Sequence, residues 1–138
     1  MEKDGFGVFL RRVKPEIECV EKLLRRQLSE EPEGLVVDLR RAEVWYARLQ
    51  TIFAFAECCL DRAEKEKLPS KENLTELERE KVLAYRVAQE KLLRDHLSNL
   101  LEALKTRILL GQTILNYHRD LHLSEKGKPK PAVLREQR

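Results

Sequence analysis

The feature that most constrains this chain is its carboxy-terminal third, where Leu74 to Leu121 pass without a proline and apolar residues recur at helical spacing. Continuous helix over those roughly 48 residues, at about 1.5 Å per residue, is a rod of about 72 Å. Projected about its axis, Leu93, Leu97, Leu100, Leu101, Leu104, Ile108, Gly111 and Leu115 form one stripe, and Tyr85, Leu92, Ala103, Leu110, Ile114 and Leu121 extend it sideways. The apolar arc is about 200°, roughly twice what a helix resting on one surface needs, so the rod requires cover on two sides. Asn73 and Glu76 have the spacing of a capping box and open this helix in the sequence reading.

Two shorter segments precede it. Pro15 suits a first helical turn, where its missing N–H has no partner to lose, and Ile17, Val20, Leu23 or Leu24, and Leu28 recur at three and four residues, which predicts a helix over 15–29. Glu31-Pro32-Glu33-Gly34 supplies the turn. The pattern resumes at Leu35 and holds to Lys67, before Pro69-Ser70. On that second helix, Ala42, Trp45, Tyr46, Leu49, Ile52, Phe53, Ala56, Cys59, Leu60 and Ala63 share the main stripe, while Val37, Val44, Thr51 and Cys58 climb another side at spacing seven with Phe55 beside them.

With only five glycines and five prolines among 138 residues, and 37% of them charged, long solvated helices are favoured over turn-rich sheet. The expected fold is all-α: an elongated three-helix bundle, or long helical hairpin, of coiled-coil character. It occupies one domain over 1–121, with helices at 15–29, 35–67 and 74–121 and a flexible basic tail over 122–138. Gly111, on the main stripe of the third helix, is expected either to admit a close neighbour or to mark a kink.

The chain lacks any apolar run approaching the about 20 residues that a membrane-spanning helix needs, and Gly5 to Leu10, preceded by Glu2 and Asp4, is too short and too acidic for a secretory signal. Three cysteines, Cys19 and the adjacent Cys58 and Cys59, make no stapling framework, so a reducing cytoplasmic setting is expected. There the Asn73-Leu74-Thr75 triplet would meet no glycosylation machinery.

Motifs for chemistry fail one by one. His118 and His122 stand four apart, a metal-ligand spacing, but the residue after His118 is Arg119 and no third ligand is evident. His118-Arg119-Asp120-Leu121 spells the start of a kinase catalytic loop, yet Glu125 stands where the asparagine belongs and no glycine-rich phosphate loop exists. Cys58 and Cys59 lack redox spacing and read as small hydrophobes. Without a nucleophile, metal set or phosphate loop the expectation is a non-enzymatic protein that uses no cofactor.

The leading expectation is a scaffold or adaptor for protein–protein interaction or assembly, associating with itself or with another helical protein. Its surface is placed at Val37, Val44, Phe55, Cys58, Leu110, Ile114 and Leu121. The alternative is a nucleic-acid-binding accessory protein that grips DNA or RNA through Arg11, Arg12, Lys14, Arg25 and Arg26 of the first helix and Lys126, Lys128 and Lys130 of the tail.

Overall fold

The computed structural model describes residues 5–69 and 74–127, and among these the ordered elements are four α-helices and no strands. They are α1 (Gly5–Arg25), α2 (Pro32–Glu66), α3 (Glu76–Arg86) and α4 (Ala88–Gly127). The long helices α2 and α4, 35 and 40 residues, span about 52 and 60 Å and lie against each other. The shorter α1, 21 residues or about 32 Å, packs against both.

One core joins the three. Val13, Ile17, Val20 and Leu23 of α1 meet Ala42, Leu49, Ile52 and Ala56 of α2 and Leu93, Leu97, Leu100 and Leu104 of α4, all buried. These are the main stripes of the second and third segments, because apolar side chains at three- and four-residue steps reach neighbours only along one face. Trp45, Tyr46, Phe53, Leu101 and Ile108 pack against the same core from its edges.

Several boundaries differ from the sequence reading. The first helix covers Gly5–Arg25 rather than 15–29, with Pro15 inside it. An interior proline forfeits a backbone hydrogen bond, here that of Arg11 C=O, at a cost of about 3 kcal/mol in an isolated helix. Arg11 and Pro15 are both exposed, on the solvent side of the helix, while Phe6, Phe9 and Val13 stay in register with Ile17 and pull the upstream turns onto the core. The second helix starts three residues early, at Pro32, for the very reason first assigned to Pro15: proline is tolerated at a first turn.

The third segment is not one rod. It breaks at Val87, whose N–H still bonds Leu83 C=O at 3.0 Å although its backbone has left helical values. Neither glycine nor proline marks the site. Tertiary contacts hold it: Val87 is buried with Leu60 and Ala63, Lys67 Nζ donates to Arg86 C=O at 3.2 Å, and Arg86 donates in return to Lys67 C=O at 3.0 Å. The helix upstream is capped two residues later than the sequence suggested. Thr75 Oγ1 accepts from Glu78 N–H at 3.1 Å and Glu78 Oε1 accepts from Thr75 N–H at 2.8 Å, a reciprocal box, and Asn73 lies outside the described residues.

Downstream, α4 continues as helix to Gly127, six residues past the expected end at Leu121, so the segment 122–127 is helical rather than tail. It runs unbroken through Gly111, which is buried against Leu39 of α2. The close-neighbour expectation is the one the structure realises there.

Candidate interaction surface

Because α1 is the shortest of the three packed helices, it covers only part of α4. Along that part a 3,4-spaced line serves as its seat: Glu21 Oε2 contacts His96 Nε2 at 3.0 Å, Leu100 is buried in the shared core, Ala103 lines a groove with Leu24 and Leu28, and Arg107 donates to Arg26 C=O at 2.8 Å. Arg107 meets the chain one residue beyond the end of α1.

The line then continues as a seam with the same alternation through Leu110, Ile114, Tyr117 and Leu121. Leu110 is 52% exposed, Tyr117 62% and Leu121 42%, whereas Ile114 is half-buried. The groove of about 650 Å³ beside Leu110 and Ile114 is mostly apolar, with Arg26, Gln27, Glu102 and Arg107 on its rim. The Nε of Arg107 is buried and finds no partner among the described residues. Gln27 and Leu28 of the linker from α1 to α2 also line this groove, and further along the linker Ser29 N–H donates to Asp38 Oδ2 at 2.8 Å.

The sequence-chosen surface residues divide into two places. Leu110, Ile114 and Leu121 fall on this seam of α4. Val37, Val44, Phe55 and Cys58 are all exposed, but they lie on α2, interspersed in the chain with Arg40, Arg41 and Arg48, and not on the α4 seam. Phe55 has a partner within the chain: its ring stacks on Phe9 with centroids 5.5 Å apart. Tyr117, Arg107, Leu24 and Leu28 complete the α4 site and were not singled out for it, although the four-three spacing from Leu110 to Leu121 passes through Tyr117 and could have found it.

Of the residues named for nucleic acid, Arg11, Arg12, Lys14, Arg25 and Arg26 are exposed on α1 and its exit. Nearby Arg48 is held by both carboxylate oxygens of Glu16, the second at 3.0 Å. Lys126 lies in the last turn of α4, and Lys128 and Lys130 lie outside the described residues.

His118 and His122 line a shallow groove with Pro32, Leu115 and Arg119. Among the described residues no three histidine, cysteine or carboxylate side chains are grouped to hold a metal ion, and no helix is long and apolar enough to cross a membrane. At the other end of the molecule Glu90, 6% exposed, is paired with Lys67 Nζ at 3.1 Å. Beside it, burial pushes the Cys59 thiol above its ordinary range, with Arg62 opposing. The Lys67–Glu90 pair ties the end of α2 to the start of α4.

No known protein family, curated protein or solved structure matches the chain.

Proposed function

We propose that this chain is a non-enzymatic interaction or assembly protein, an elongated three-helix body of coiled-coil character that docks helical surfaces, its own or another protein's. The observation that carries this reading is the seam of α4, whose first half seats α1 and whose second half has Leu110, Tyr117 and Leu121 exposed and Ile114 half-buried at the same spacing. Apolar residues set in a four-three repeat cost solubility when open to water and gain when a second helix covers them.

Catalysis has less to rest on. Among the described residues the strongly buried carboxylate is Glu90, which is already paired with Lys67, and the grooves beside Leu110 and His118 are open to solvent. Nucleic-acid binding also has weaker support. Trp45, Tyr46 and Phe53, which could stack bases, are half-buried against the core, and Glu16 and Glu18 interrupt the basic residues of α1.

The reading is tested by sedimentation velocity together with affinity capture from the native host, each run on the wild type and on a Leu110→Glu/Ile114→Glu variant whose circular dichroism is unchanged. Association, with itself or with a captured protein, that is present in the wild type and lost in the variant supports it. A wild type that stays monomeric and captures nothing the variant does not would sink it.

A further inference from the structure

Building on that reading, we infer that the partner for the open half of the α4 seam is the same seam of a second copy, laid antiparallel. Continuity is the first ground. The line from Leu110 to Leu121 prolongs the one α1 already occupies, so a helix placed there extends an interface the fold has made. The groove lined by Leu110 and Ile114 lies past the point where α1 stops at Arg25.

The second ground is that the seam complements itself when reversed. With the two-fold axis between Ile114 and Tyr117, each Leu110 meets the partner's Leu121 and each Ile114 meets the partner's Tyr117, giving four apolar layers without a gap. The residues flanking the stretch on the adjoining line are Thr113 and Asp120, and neither layer brings like charges together.

Charge supplies the third. Arg107 and Asp120 stand toward opposite ends of the exposed stretch, so this register sets Asp120 of the partner subunit level with Gly111, about one helical turn from Arg107, and the same holds at the other end. A parallel pair would instead set arginine beside arginine and aspartate beside aspartate. Arg107 spends one terminal nitrogen on Arg26 C=O and has spare donors for a carboxylate. The far end of α4 is open to such a neighbour, because α2 begins at Pro32, level with His118 and His122.

Sedimentation velocity of the full chain from about 1 to 200 µM tests this, with dimerisation expected in the micromolar range for so few layers. Ile114→Glu is expected to give monomer. Asp120→Arg is expected to weaken the dimer about tenfold, and Arg107→Asp/Asp120→Arg to recover most of that loss, while Arg107→Asp alone does not. Spin labels at position 113 should report a short distance in the dimer, and labels at position 106 a longer one.

A dimer unaffected by Ile114→Glu would overturn the surface assigned here and leave self-association standing. A dimer in which the position-106 labels are also close would overturn the antiparallel order. A chain that is monomeric at every concentration, but dimerises once residues 128–138 are deleted, would assign the seam to the chain's own carboxy-terminal segment and overturn the second copy as occupant. Monomer in both forms would overturn self-association itself, and docking of another protein would then rest on the capture experiment alone.

Discussion

Gly111 of α4 faces Leu39 of α2 so closely that a methyl group on its α-carbon would stand 2.5 Å from Leu39 Cδ2 and 3.1 Å from Cγ. Leu39 is itself buried, so it has little room to withdraw. Alanine normally gains about 1 kcal/mol over glycine inside a helix, but overpacking a core costs about 1–3 kcal/mol. Gly111→Ala is therefore expected to lower stability by about 1 kcal/mol, and Gly111→Val by more. Combining Gly111→Ala with Leu39→Ala should show a favourable coupling of about 1 kcal/mol in a double-mutant cycle of chemical denaturation. Simple additivity would mean that the two helices do not meet at this point.

The ion pair between Lys67 and Glu90 is expected to be asymmetric in its response to mutation. Lys67→Ala strands a carboxylate that is nearly fully buried and also removes a donor from Arg86 C=O, so a loss of about 2 kcal/mol is expected, moderated because the lysine is partly exposed. Adding Glu90→Gln to that variant removes the stranded charge and should restore part of the loss. Thermal melts of the single and double variants check the order.

Around the capping box, the Thr75 backbone N–H and its hydroxyl contact hold the Glu78 carboxyl below the ordinary glutamate value of 4.5. A carboxyl with a depressed folded pKa contributes stability above its unfolded pKa and loses it as pH falls through the folded one. The amino-terminal turn of α3 is thus expected to fray only below about pH 4.5, and Thr75→Ala to open it at neutral pH at a cost of about 1 kcal/mol. Amide exchange at Glu78, followed against pH, is the measurement. Equal protection in wild type and Thr75→Ala would contradict the box.

Thiol chemistry should separate three cysteines that look alike in the sequence. Cys19 and Cys58 are exposed, whereas Cys59 is half-buried and its pKa is raised chiefly by desolvation. Near pH 8, mass spectrometry of iodoacetamide-treated native protein is expected to find Cys59 modified last. Raising the pH should narrow the gap, since more of its thiolate forms.

Periodicity alone located the packed faces of α2 and α4. Leu49, Ile52, Leu97 and Leu104 are buried because side chains on one stripe of a long helix can be covered only together, a regularity that any windowed reading detects. The helix ends were harder to see, since they are set by contacts between distant residues. Phe6 and Phe9 carry α1 upstream through Pro15 by packing on the core, and Val87 breaks a proline-free segment because Lys67 and Arg86 exchange bonds across it. Local propensity contains neither fact. Leu110, Ile114 and Leu121 were legible as an apolar line, but what distinguished them from core was invisible until the position of Arg25 was known, for it is the end of α1 that leaves them open.

The 21 residues of α1 act as a ruler. A longer first helix, by two or three turns, would roof the whole groove and leave a self-contained particle, while a shorter one would bare the hydrophobic heart of the molecule. In a lineage of such chains, the bare length of the α4 seam would change by insertions and deletions at the junction before Pro32, with no substitution on the seam itself.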